Sequence, residues 1–111
     1  MCLFCKIVAG EIPAKKVFEN NRILAFEDIA PQAPTHVLII PKKHIETLMD
    51  VQAEDQEVLG EMMIVAQQIA KDQGHEEKGA RFTMNCKDFG GQEVYHIHLH
   101  LLAGRQMLKM G

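Results

Sequence analysis

Apolar positions fall into several short runs and one long stripe of helical period. Phe4 to Gly10 reads as a short helical turn, ended by Gly10 and Pro13. Lys16 to Glu19 and Arg22 to Glu27 read as two short strands. Asn20-Asn21 between them suits a hairpin turn, because asparagine tolerates positive φ. Asp28 to Pro34 is a loop, since Pro31 and Pro34 remove backbone donors. His36 to Pro41 is apolar and β-branched, the pattern of a buried strand. Val58, Leu59, Met62, Met63, Ala66, Ile69 and Ala70 recur at three- and four-residue spacing, which predicts a helix over Glu54 to Gln73. Gly74 supplies a left-handed stop, whereas the helix start is poorly marked: Gln52 is a weak cap and Asp50 lies early. Ala80 to Asn85 reads as a strand, Cys86 to Gln92 as a loop around Gly90-Gly91, and Tyr95 to Leu102 as the last strand. The strands form groups on either side of one helix, without regular strand–helix alternation. That pattern predicts an α+β fold: a five-stranded antiparallel sheet with one long helix and one or two short ones.

The last strand carries the densest chemistry. His96, His98 and His100 alternate with Ile97, Leu99 and Leu101, so the imidazoles share one face and the aliphatic residues pack on the other. Histidine is the side chain whose ordinary pKa lies nearest neutrality. A row of imidazoles can therefore supply a nucleophile, an acid and a phosphate-binding donor without large tuning. Convergence of two or three of them on a metal is the other chemistry such a row permits.

Composition narrows the setting. The 111 residues are 47% hydrophobic and 24% charged, as in one ordinary globular domain spanning 1–111, which excludes collagen-like, coiled-coil and disordered chains. A chain this long buries roughly two-thirds of its unfolded surface, enough for one core. The longest apolar runs, Val37 to Ile40 and Met62 to Ala66, are too short to cross a membrane. Met1 to Lys6 lacks the basic segment and apolar core of a signal peptide, so a cytoplasmic location is expected. A net charge of −3 gives no electrostatic footprint for nucleic acid or an anionic membrane. Three cysteines without an export signal argue against a disulfide framework. The Cys2-x-x-Cys5 spacing suits either a metal site or a redox pair.

The alternating segment from His96 to Leu102 resembles the signature of the histidine triad family. The likeness extends to Glu11-Ile12-Pro13-Ala14-Lys15, Asp28-Ile29, Pro31-Gln32-Ala33-Pro34-Thr35-His36, Ile40-Pro41-Lys42-Lys43-His44, Gly90-Gly91-Gln92-Glu93-Val94-Tyr95 and Gly104-Arg105-Gln106-Met107. These segments are similar to the nucleotide-binding branch and cover nearly the whole chain in order. The resemblance implies a hydrolase of purine nucleoside 5′-phosphoramidates, AMP- or GMP-amines, working through a nucleotidyl-histidine intermediate. Dinucleoside polyphosphate hydrolysis and a nucleotide-binding regulatory role with incidental catalysis are the alternatives. By resemblance His98 is the nucleophile, His100 serves the phosphate oxygens and leaving group, and His36 orients His98. Asp28 holds the ribose hydroxyls; Phe4, Ile7, Phe26 and Ile29 form the base slot; Asn85, Gly91, Gln92, Glu93 and Val94 approach the phosphate. Glycines there let backbone N–H groups come near an anion, and the Glu93 side chain is expected to face away from it.

No catalytic metal is implied, and the chain has no P-loop signature or Mg²⁺ carboxylate cluster. The broader superfamily holds a structural zinc on residues that match Cys2, Cys5, His44 and His96, a sound tetrahedral set. Cys86 is then left as a core thiol and His75 as a surface residue. The resemblance also implies a two-fold homodimer that joins two sheets. Ile64 and Val65, beside the main helical stripe, would give that second buried surface. The final Leu108-Lys109-Met110-Gly111 departs from the family's tails.

Overall fold

In the computed structural model, which describes residues 2–111, eight helices and strands follow one another. They are α1 (Leu3–Val8), β1 (Lys16–Glu19), β2 (Ile23–Glu27), β3 (Thr35–Pro41), α2 (Gln56–Asp72), β4 (Arg81–Thr83), α3 (Lys87–Gly90) and β5 (Leu99–Ala103). The strands form one sheet in the order β1-β2-β3-β5-β4, every neighbouring pair antiparallel. The expected α+β class and five-stranded antiparallel sheet are therefore present.

Strand parity divides the interior into two cores. Ile23, Ala25, Val37, Ile39, Leu99 and Leu101 face α2 and pack on Met62, Val65, Ala66, Ile69 and Ala70. Leu24, Phe26, Leu38 and Ile40 face the other way and pack on Phe4 and Ile7 of α1. Both faces of β2 and β3 are thus covered, which is why those strands read as continuous apolar runs. The register pairs Ala25 with Ile39 and Val37 with Leu101. The even-numbered positions His36, His98 and His100 then share the α1 side of the sheet with Leu38 and Phe26. The small α1 covers only part of that side, and the uncovered part is the main cavity.

Several elements differ from their sequence reading. The last strand begins at Leu99, not Tyr95. β3 ends at Pro41, which has no N–H, and β4 ends at Thr83 opposite His100, so residues 95–98 meet no strand. Ile97 N–H instead donates to the Ile45 carbonyl (2.8 Å). Alternation survives without the ladder, because Ile97 stays in the α2 core while His96 and His98 turn to the opposite side. The turn after β1 uses the Asn20 side chain rather than positive φ: its Oδ1 accepts the N–H groups of Arg22 (2.9 Å) and Ile23 (2.8 Å).

The start of α2 is marked by Asp55, in a 3₁₀ turn over Ala53–Asp55. Its Oδ2 accepts the Gln52 N–H (2.9 Å) and its Oδ1 meets Lys43 Nζ at 2.6 Å. The Lys43 ammonium holds this buried carboxyl below the usual carboxylate range. Gly74 does end the helix region at φ 85°. On α2 the stripe is rotated from the expected one: Val65 is buried, whereas Met63 and Ile64 are 50% and 64% exposed. Cys86 is partly exposed at the start of α3, in neither core. His75 Nε2 lies 2.9 Å from Thr35 Oγ1 and ties the end of α2 to β3. Among the described residues no helix is long and apolar enough to cross a membrane.

One backbone position is a strict requirement. Gly104, just past β5, has φ +99°, and a Cβ there would lie 2.8 Å from Pro34 Cβ. Both strain and overlap oppose a side chain, so Gly104→Ala is expected to lower unfolding free energy by about 2 kcal/mol or more. Urea unfolding of the variant against wild type measures it; an unchanged midpoint would show that this turn relaxes freely.

Candidate active site

The cavity on the α1 side measures about 1080 Å³, ample for a nucleotide-sized molecule. Its walls are mixed: Phe4, Ile7, Phe26 and Leu38 are apolar, while Asp28, Asn85, His98 and His100 bring polar groups together. Phe4 meets Phe26 edge-on at 5.4 Å and His98 edge-on at 5.2 Å. These contacts fix an apolar slot next to the imidazoles.

Hydrogen bonds fix the proton on each imidazole. His98 Nδ1 lies 2.8 Å from the His96 carbonyl, which only accepts, so Nδ1 carries the proton and Nε2 keeps its lone pair. Gln32 N–H donates to His36 Nδ1 (3.0 Å), which places the His36 proton on Nε2. That Nε2–H points to His100 Nδ1 (2.9 Å) and lies 3.4 Å from Asp28 Oδ2. His100 is thereby protonated on Nε2, a buried donor with no partner among the described residues. A lone pair on His98 and an unpartnered N–H on His100 sit on rings whose centres are 4.9 Å apart. Such a pair can attack an electrophile and donate to an oxygen or nitrogen on it.

Burial keeps these rings neutral. Desolvation pushes His36 and His98 below the ordinary histidine value, and it takes His100, aided by the two neighbouring rings, down to about 4. A histidine with a depressed folded pKa takes up protons later than its unfolded counterpart. Stability contributed by His100 is therefore full above pH 6.5 and is lost as pH falls from 6.5 toward 4. From pH 7.5 to pH 5 the loss is about 2 kcal/mol. Urea unfolding of wild type and His100→Gln at the two pH values should show a shallower pH slope for the variant. Equal slopes would contradict the depressed value.

The expected pocket residues divide into two groups. Phe4, Ile7, Phe26, Asp28, Ile29, Asn85, Gly91, Glu93 and Val94 all line the cavity. Ile29, however, is 100% exposed and sits on the rim rather than in the wall. Glu93, an exposed residue, belongs to the cavity lining. Gln92 does not line it: its Oε1 accepts the Lys87 N–H (2.8 Å), and its Nε2 donates to the carbonyls of Glu46 (2.8 Å) and Val94 (3.1 Å). The Gly91 N–H donates to the Asp88 carbonyl (3.1 Å) and the Gln92 N–H to the Lys87 carbonyl (3.0 Å), so neither is offered to an anion. His36 contacts His100 rather than orienting His98, whose orientation comes from the His96 backbone. Sequence reasoning missed that carbonyl and the Gln32 amide, because a backbone group has no signature in residue type. It also missed Ile12, Pro13 and Ala14 as wall residues. Their place in a segment shared with the resembling family was the signal available.

A second cluster lies behind the first. Cys2 Sγ, Cys5 Sγ, His44 Nδ1 and His96 Nδ1 come together and can hold a metal ion. Their separations are 3.1 Å between sulfurs, 3.2 Å between nitrogens and 3.3 to 3.6 Å between sulfur and nitrogen. A tetrahedron around zinc, with Zn–S about 2.3 Å and Zn–N about 2.05 Å, has edges of about 3.8, 3.4 and 3.6 Å in the same order. His96 Nε2 lies 2.7 Å from the Pro41 carbonyl and so holds the proton, which leaves Nδ1 free as a ligand. The donor set, the tautomer and the edges that involve nitrogen fit zinc, while the sulfurs lie closer together than a zinc tetrahedron sets them.

Residues 9–107 match the family model for the HIT domain. The chain is 51% identical over 105 residues to the purine nucleoside phosphoramidase of Escherichia coli K12, covering 95% of this chain and 88% of that protein. A crystal structure of a HIT family hydrolase from Legionella pneumophila Philadelphia 1 superposes with TM-score 0.95 at 60% identity, covering 97% of this chain and 96% of that one. A histidine triad protein from Clostridium difficile gives TM-score 0.95 at 44% identity, covering 99% and 96%.

Proposed function

The chain belongs to the HIT domain family, and on that premise we propose that it hydrolyses the P–N bond of purine nucleoside 5′-phosphoramidates. The observation that carries this reading is the pairing of a free Nε2 lone pair on His98 with a buried, unpartnered Nε2–H on His100. The phosphoramidase activity of the relative from Escherichia coli supports the choice of substrate.

The mechanism follows from the fixed tautomers. With the base in the apolar slot lined by Phe4, Ile7 and Phe26 and the ribose at Asp28, the α-phosphorus meets His98. His98 Nε2 attacks it and forms the P–N bond of a nucleotidyl-histidine. The ring becomes cationic, which strengthens its Nδ1–H bond to the His96 carbonyl. His100 Nε2–H hydrogen-bonds to the departing nitrogen, which takes its proton from a cavity water and leaves as the amine. His36 Nε2–H, donated to His100 Nδ1, holds His100 in the tautomer that presents this proton. The hydroxide left by that water then attacks phosphorus, with His100 Nε2–H donating to it, and releases neutral His98 and the nucleoside monophosphate. No step draws on a metal.

The second cluster holds structural zinc in this reading, which joins α1 to the segment before β5. Exposed Met63 and Ile64 on α2 and Phe82 on β4 give the surface for a homodimer. Hydrolysis of adenosine 5′-phosphoramidate to AMP and ammonia tests the activity. Turnover confined to dinucleoside polyphosphates, or AMP binding with no turnover of either substrate, would replace this reading.

A further inference from the structure

We propose that Cys2 and Cys5 form a modification site, at which a hydroperoxide converts the pair to a disulfide and thereby weakens nucleotide binding in the adjacent cavity. The two sulfurs are 3.1 Å apart and both residues are partly exposed. They line a shallow groove with His44, Glu46 and Tyr95 that is open to a small oxidant. The Cys5 N–H donates to Cys2 Sγ (3.2 Å), so the spacing of the pair is set by the first turn of α1. Cys86, the remaining cysteine, lies outside this cluster.

The chemistry is a two-electron oxidation of sulfur. One thiolate attacks the peroxide O–O bond, gains a hydroxyl as a sulfenic acid and releases an alcohol or water. The second thiolate attacks that sulfur, forms the S–S bond and expels hydroxide. The sulfurs lose two electrons and the peroxide gains them. A disulfide has no thiolate to offer a metal, so two of the four donors facing His44 and His96 are withdrawn together. This part rests on the metal reading above; formation of the disulfide does not.

The consequence for the cavity runs through Phe4. This residue lies between the two cysteines in sequence and forms a wall of the cavity. Its ring packs edge-on to His96 at 6.0 Å, to His98 at 5.2 Å and to Phe26 at 5.4 Å. Helix α1 has only six residues, of which Phe4 and Ile7 are buried. Once its cysteines no longer clasp His44 and His96, only those apolar contacts hold the wall in place. His96 keeps its own anchor at the Pro41 carbonyl and still orients His98 through its backbone oxygen. Oxidation should therefore affect binding much more than the chemical step.

The test uses zinc-loaded Cys86→Ser protein treated with hydrogen peroxide, with peptide mapping, AMP calorimetry and turnover of adenosine phosphoramidate. The expected products are a Cys2–Cys5 disulfide and an AMP Kd raised at least about fivefold. The kcat should stay within about twofold, a split that marks lost binding rather than lost chemistry. Dithiothreitol with added zinc should restore both the thiols and the affinity. Cysteine sulfinic or sulfonic acids in place of the disulfide, or a disulfide with unchanged AMP affinity, would overturn the proposal. Zinc measured before oxidation decides the metal reading separately: the mapping arm stands whatever that value is, whereas protein that holds no zinc overturns the expected loss of AMP affinity. A protein that binds AMP without turnover would end the enzymatic reading, while the AMP arm still decides this one.

Discussion

Replacing His98 by alanine is expected to slow phosphoramidate hydrolysis by roughly 10⁴-fold or more, as removal of a covalent nucleophile does in other enzymes. The reason lies in what the structure leaves free on each ring. Only His98 presents an imidazole lone pair beside the His100 donor; the equivalent atoms of His36 and His100 are occupied by Gln32 N–H and by His36 Nε2–H. Alanine removes the attacking atom and leaves the apolar slot, Asp28 and His100 in place. AMP affinity should therefore stay within about threefold, a change below 1 kcal/mol. Turnover and AMP calorimetry on the same preparations separate the two effects. A quenched wild-type reaction should carry a nucleotidyl adduct on the His98 peptide. Turnover within tenfold of wild type would assign the nucleophile elsewhere, or replace covalent catalysis by direct attack of water.

Removal of zinc is expected to have the largest effect on stability. The purified protein should hold about one zinc per chain, and Cys5→Ser should lose it. Zinc bound only to the folded chain, at free concentrations 1,000 times its Kd, stabilises by about 4 kcal/mol. Loss should be felt most at α1, because Cys2 and Cys5 are what join it to His44 and His96. Elemental analysis of protein prepared without chelator, followed by urea unfolding with and without chelator, measures both quantities. Metal-free protein with an unchanged unfolding midpoint would refute a structural zinc.

Much of this molecule is legible in its sequence because the patterns involved are local. A two-residue period decides which side chains share a face, so His98 and His100 were separable from Ile97, Leu99 and Leu101 even where residues 95–98 form no ladder. A helical period and a glycine stop located most of α2. Its start was hidden, because Asp55 acts through a bond to the Gln52 amide and an ion pair with Lys43. Met63 and Val65 were interchanged because a stripe of apolar residues shows a helix to be amphipathic before it shows its rotation against the sheet.

The histidines themselves, the cysteine pair and the acidic Asp28 were all available from residue type and order. What each does was not. His96 could join Cys2, Cys5 and His44 only because β3 ends at Pro41 and leaves the chain before β5 free to turn toward them. Which nitrogen of His98 keeps its lone pair is decided by the carbonyl of His96; which nitrogen of His100 carries the proton is decided by Gln32 acting through His36. Gln92, read as a phosphate neighbour, spends its amide on Lys87, Glu46 and Val94. The physical reason is common to these cases. Sequence period fixes the face on which a side chain lies, whereas proton position, ring orientation and donor availability depend on backbone groups that only the folded chain brings within hydrogen-bonding distance.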